Sequence, residues 1–203
     1  MIVARPSRGY QFLFYRILQC LTSFYFARIH WPNQKPPTNA PVLLICNHQS
    51  WWDGILIFIL HQKFWKKPFY VMMLLSELTK RKFLTSLGAY SIQKNHRSVL
   101  ESLNYSLKLL ENPNHVLVFP QGRLESQHVS HLTFSKGIQY LVNRLPAHAE
   151  IWALSVHYSF SLHVRAHCTI YLQPITSRHP EAVDEEWNRF HQQCVELEQQ
   201  KWQ

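Results

Sequence analysis

The sequence predicts an α/β domain, a mixed β-sheet flanked by helices, preceded by an N-terminal helix that lies in a membrane interface. Three observations carry the prediction. Short apolar runs alternate with amphipathic stretches from residue 42 to the end of the chain. Residues 1–31 are dense in Phe, Tyr and Leu, with arginines spaced among them. A chain of 203 residues, 46% hydrophobic and 16% charged, can bury one core but not two full ones.

Taken in order, Tyr10 to Trp31 reads as a helix. Leu13, Phe14, Ile17, Leu18, Leu21, Phe24 and Tyr25 recur at helical spacing, while Arg16, Gln19 and Ser23 follow another face. Arg5, Arg8, Arg16 and Arg28 supply cationic anchors. The aromatic density exceeds what one core stripe needs. Residues 1–31 therefore read as a membrane-anchoring unit, with a core helix and a tilted spanning helix as the alternatives. Trp31 to Pro41 holds four prolines and makes 32–41 a linker. The domain proper then runs over 42–203.

Val42–Cys46 is a buried strand, followed by a polar loop and a helix from Asp53 to Leu60. Phe69–Met73 is the next strand. Ser76 caps a helix that runs through Leu87 and stops at Gly88. Ala89–Gln93 is a strand, and Ser98-x-x-Glu101 is a capping box that opens a helix through Leu110. His115–Phe119 is a strand and Ser135–Leu145 a helix. Ile151–Tyr158 and Val164–Leu172 pair as a hairpin. Val183, Trp187, Phe190, Cys194 and Leu197 lie on one face of a closing helix.

Charge is uneven. Residues 1–100 hold thirteen of the 21 basic residues and only Asp53 and Glu77 as acids, whereas 181–203 hold six acids against Arg189 and Lys201. A basic half selects polyanions: nucleic acid, anionic lipid head groups or phosphorylated substrates. Lys63, Lys66, Lys67, Lys80, Arg81, Lys82, Lys94 and Arg97 face Glu77 alone between His61 and Arg97. Such a surface suits anionic lipid, the phosphates of CoA or an acidic carrier protein. Cys20, Cys46, Cys168 and Cys194 stand far apart and read as reduced core thiols. The first residues lack the cleavage pattern of a secretory signal, so association with the cytoplasmic face of a membrane is expected. Val42–Leu60 is broken by Asn47-His48-Gln49-Ser50 and Asp53, which excludes a clean bilayer span there. Disorder, collagen, coiled coil and a disulfide-built mini-protein are excluded by composition.

The sharpest element is Asn47-His48-Gln49-Ser50-Trp51-Trp52-Asp53, directly after a buried strand. On a regular helix, i and i+5 lie about 140° apart. His48 and Asp53 can meet only if the segment turns from strand to helix. A histidine held by a carboxylate is a general base with a fixed tautomer. Cys46, next to it, offers a covalent nucleophile as a second story, against the plainer one of a buried core thiol.

N-H-x-S-x-x-D resembles the His-x4-Asp block of the PlsC-like glycerolipid acyltransferases, the family of the 1-acyl-glycerol-3-phosphate acyltransferases. Gly88 to Lys94 is similar to that family's second block, and Val118-Phe119-Pro120-Gln121-Gly122-Arg123 to its third, F-P-E-G-T-R. Phe134-Ser135-Lys136-Gly137 matches the F-x-K-G stretch that follows, and Ile151–Val156 falls where the fourth block belongs, without its proline. The resemblance covers roughly residues 40–175 and implies a glycerol-3-phosphate acyltransferase-like fold.

It also implies a reaction. An acyl chain moves from a thioester, on acyl-CoA or acyl-carrier protein, to a hydroxyl of a lysophospholipid or related acceptor. His48 removes the hydroxyl proton, Asp53 orients His48, and Asn47 and Ser50 support the loop. Lys94, Arg97, Gln121, Gly122 and Arg123 form the acceptor and phosphate site. The co-substrate is the only cofactor implied, and no metal. The block departs from the family at Gln121 and Leu124, where Glu and Arg are usual, and at Lys94, a point charge where a bidentate arginine is usual. A phosphate is then not stringently required, and a larger head group or a glycosylated lipid becomes an acceptor. Two other functions compete. A basic nucleic-acid-binding protein lacks a recognition motif here, and a catalytically dead lipid-binding relative would not need His48 and Asp53. The pairs His128/His131 and His163/His167 lack a Cys or carboxylate to complete a zinc site.

Overall fold

The computed structural model describes every residue except 37–38, 94–95, 123, 127–128, 130, 161–163 and 202–203, and at 96 and 97 the backbone alone. Among the described residues, seven strands form one sheet: β1 (Phe26–His30), β2 (Val42–Cys46), β3 (Phe69–Leu74), β4 (Ala89–Ile92), β5 (His115–Val118), β6 (Glu150–Ser159) and β7 (Ala166–Ile175). Their order is β1-β7-β6-β2-β5-β3-β4. Strands β6, β2, β5, β3 and β4 run parallel, and the hairpin partner β7 turns back so that β1 pairs with it in its own direction. The mixed sheet is as the alternating pattern predicts.

Helices cover both faces. The helices α1 (Arg8–Tyr25) and α2 (Trp52–Leu60) lie on one, against Val42, Leu44, Cys46, Leu154 and Val156. On the other, α4 (His96–Leu109), α5 (Lys136–Asn143) and α6 (Pro180–Gln200) cover Leu43, Ile45, Val116 and Val118. Every residue of β2 is buried, and a strand covered on both faces must read as an unbroken apolar run. The Trp187 indole donates to the carbonyl of Ile45 at 2.9 Å and fixes α6 to the end of that strand.

Several expected boundaries move. The helix expected from Tyr10 to Trp31 ends at Tyr25, and Phe26–His30 is instead a strand beside β7. The free edge of β7 offers backbone partners that a longer helix could not reach, and pairing outweighs the helical period. Residues before α1 reach the opposite edge: Ile2 and Ser91 exchange backbone and side-chain bonds of 2.9 and 2.7 Å. The first thirty residues thus form a strap across one face of the sheet.

The helix expected from Ser76 is divided. Its first part, α3 (Leu75–Lys80), starts before Ser76 and has no side-chain cap; a 3-10 turn over Lys82–Leu87 follows. Gly88 ends it at φ +105°, where a Cβ would stand 2.0 Å from the carbonyl oxygen of Phe69. Likewise α4 starts at His96, which puts Ser98 inside the first turn rather than at its cap. Leu197, placed on the buried face of the closing helix, is exposed. After α2 the chain continues as a π turn over His61–Trp65, closed by Lys66 in the left-handed region at φ 54°.

Candidate active site

The site is built at the carboxyl end of β2, where the chain must leave the sheet. Asn47 does this. Its amide donates to the carbonyl of Val156 at 2.9 Å and its oxygen accepts the N–H of Val156 at 2.8 Å. This copies one more step of the β2–β6 ladder with a side chain and frees the backbone to turn. His48 follows, with its N–H donating to Gln121 Oε1 at 2.9 Å and its carbonyl accepting the N–H of Glu125 at 2.9 Å. Gln121 sits in the turn after β5, which Gly122 closes by donating to the carbonyl of Phe119 at 3.2 Å, with φ +63°. Phe119 lays its ring on the imidazole of His48, centroids 4.0 Å apart and planes 20° apart.

Asp53 lies in the first turn of α2, fully buried. Its Oδ2 stands 3.0 Å from Nδ1 of His48 and accepts the N–H groups of Gln49 and Ser50 at 2.7 and 2.8 Å. Its Oδ1 accepts the hydroxyl of Tyr158. Ser50 Oγ in turn accepts the N–H of Trp52 at 3.2 Å and steadies the helix start. An ionised carboxylate only accepts, so Nδ1 of His48 carries the hydrogen and Nε2 keeps the lone pair of the neutral ring. The imidazole is 24% exposed while the carboxylate is closed off. That arrangement can take a proton from a hydroxyl presented to Nε2 and hold the charge that results.

His48, Asp53, Asn47, Ser50, Gln121 and Gly122 are therefore brought together. Of the other residues expected at the acceptor site, Lys94 and Arg123 lie outside the described residues, as does the side chain of Arg97. His128 and His163, one of each histidine pair, also lie outside them. Cys46 is fully buried, and burial followed by the field of Asp53 pushes its thiol well above the ordinary range. A thiol without access or charge is no nucleophile. Two neighbours escaped the sequence reading. Phe119 stands in the third block, which marks its region but not its stacking. Tyr158 is the last residue but one of β6, and burial first, then Asp53, keeps its hydroxyl protonated well above its usual range. Nothing local to Tyr158 signals that it reaches a carboxylate 105 positions away.

A family model described as acyltransferase matches residues 28–177. No curated protein matches the chain.

Proposed function

The chain belongs to the family of PlsC-like glycerolipid acyltransferases, and from that premise we propose that it acylates a lysophospholipid or related glycerolipid at a membrane surface. The donor is a thioester, acyl-CoA or acyl-carrier protein. Nε2 of His48 takes the proton of the acceptor hydroxyl as its oxygen attacks the thioester carbonyl. The tetrahedral intermediate collapses, the carbon–sulfur bond breaks, and the imidazolium returns its proton to the leaving thiolate. Asp53 is the positioning residue. The observation that carries the reading is the buried Asp53 carboxylate holding Nδ1 of a partly exposed His48 imidazole at 3.0 Å.

Membrane contact rests on an apolar face. Leu13, Ile17, Leu21 and Phe24 of α1 are exposed, Phe24 by 81%, and Trp51 in the catalytic loop by 65%. Tyr25 packs on Trp52, and Trp52 on Trp51, each at 5.0 Å, so this face runs on to the loop that carries His48. Among the described residues no helix is long and apolar enough to cross a membrane. An interfacial helix needs no such length.

The acceptor reading follows from Gln121. Its amide is spent on His48 and, at 3.2 Å, on Glu125, which makes it a strut of the loop. A site without the family's usual Glu and Arg at these positions does not demand a phosphate monoester. The test is thiol release from an acyl thioester with purified protein, across lysophosphatidic acid, lysophospholipids with larger head groups, and a glycosylated lipid. His48→Ala should lower the rate by about 10²–10⁴-fold and Asp53→Asn by less. The larger acceptors should serve at least as well as lysophosphatidic acid. Near-normal turnover in His48→Ala would sink the mechanism, and strict use of lysophosphatidic acid the acceptor reading.

A further inference from the structure

Beside the strap lies a cleft of about 300 Å³ between α1, β1 and α2. Arg28 from β1, Lys63 from the π turn and Arg165 from the start of β7 line it, and among the described residues no Asp or Glu does. Two of these cations are held in place without being neutralised. Arg165 donates through Nη1 to the carbonyl of Ser23 at 3.0 Å, which leaves the rest of its fork free to donate. Lys63 stands over the rings of Trp31 and Phe64 at 5.5 and 4.9 Å. Three like charges gathered around one concave space repel one another, and a bound polyanion removes that cost.

We propose that this cleft receives the phosphate-bearing nucleotide end of the acyl donor. The inference rests on the acyl-transfer reading for the donor's identity. Volume and chemistry choose the ligand. A space of this size is at the lower end for a small-molecule site and suits one nucleotide. Arginines with a spare fork bind phosphate bidentately. A carrier protein would present carboxylates on a convex surface that does not enter a cleft. The cleft shares a packed wall with the site: Phe26 meets Trp52 edge-on at 5.4 Å and stacks on Tyr158 at 6.1 Å, and Tyr158 holds Asp53.

The experiment has a binding arm and a kinetic arm on the full chain. Adenosine 3′,5′-bisphosphate is titrated by calorimetry into the parent, Arg28→Gln, Lys63→Gln and the double variant. Each single change should weaken binding about tenfold and the pair further. In the kinetic arm the KM for acyl-CoA is divided into that for the same acyl group on pantetheine, which has no nucleotide. That ratio should fall about tenfold in either variant. The binding arm needs no turnover, so bisphosphate binding by His48→Ala would uphold the cleft even if the general-base reading failed. Equal bisphosphate affinity in parent and variants overturns the proposal, as does an unchanged KM ratio. A variant that loses only flotation with vesicles containing phosphatidylglycerol overturns it too, and gives the cleft to a lipid head group.

Discussion

Tyr158 shows how little of a site one residue need touch to matter. Its hydroxyl is a donor that burial keeps protonated, and it occupies the one oxygen of Asp53 that faces away from His48. Tyr158→Phe strips that oxygen of its partner inside a closed site, where an unsatisfied charged acceptor costs roughly 1–3 kcal/mol. The carboxylate can then turn away from Nδ1. We expect kcat to fall about tenfold. An unchanged kcat would make Tyr158 packing only. At this scale the sequence was legible where the chemistry is local. His48 and Asp53 are five positions apart on one turn, whereas Tyr158 arrives from another strand, and Asn47 earns its place through Val156, 109 positions away.

Among the elements, α1 is the one whose sequence and position tell different stories. Its buried side, Leu18 and Thr22, seats it on the sheet, while Leu21 and Phe24 remain in solvent. A surface helix of a protein confined to water has little use for so large an aromatic side chain standing clear. Phe24→Glu with Leu21→Glu removes apolar area without touching the seat. Flotation with anionic liposomes should drop several-fold, and Tm should stay within a few degrees. Undiminished flotation would take the anchor away from α1. The helical period of Tyr10–Tyr25 was readable because amphipathicity is an internal property of the segment. Its end was not. Phe26–His30 becomes a strand only because β7 lies beside it, with Ile29 against Cys168, and no residue within the segment encodes that neighbour. Ser76 and Ser98 failed as caps for a related reason: each helix begins where the preceding strand or loop delivers the chain, earlier than the side chain best suited to start it.

At the scale of the whole molecule, four buried imidazoles among the described residues set the response to acid. His61, His115, His157 and His191 are all held below the ordinary histidine range, each by burial first. His115 and His157 are brought to about 4. Among the described residues, the ring nitrogens of His61 and His115 and the indole of Trp65 have no hydrogen-bond partner, and the two imidazoles stand 5.2 Å apart. Below about pH 6.5 the unfolded chain binds protons that the folded chain refuses, so stability is whole above that pH and is lost as pH falls towards about 4. A group displaced by two units or so contributes on the order of 3 kcal/mol over this window. Denaturant midpoints should therefore fall steeply between pH 6.5 and 4, ahead of most carboxylate titration, and His115→Gln should flatten the slope. A flat curve over that window would mean that the imidazoles are hydrated. The layered fold was readable from the alternation of runs, since each strand advertises its own burial. The clustering of histidines from the π turn and β5 was not, because it depends on a turn packing against a strand more than fifty positions away.

The strap runs against the order in which the chain is made. It is synthesised before its partners: Ser91 follows Ile2 by about 90 positions and β7 follows β1 by about 140. At a translation rate of about 5–20 residues per second, the aromatic helix waits on the order of ten seconds for the sheet it will cross. Through that interval its whole circumference is free, including the side that later disappears beneath α2. A bilayer or a chaperone is the apolar surface within its reach. If the bilayer takes it, the remaining strands are added to a segment already held at the lipid, and the fold is completed there rather than delivered afterwards. Long-range closure of this kind is also slow, which leaves the edge of β7 bare until β1, made long before it, comes round to it.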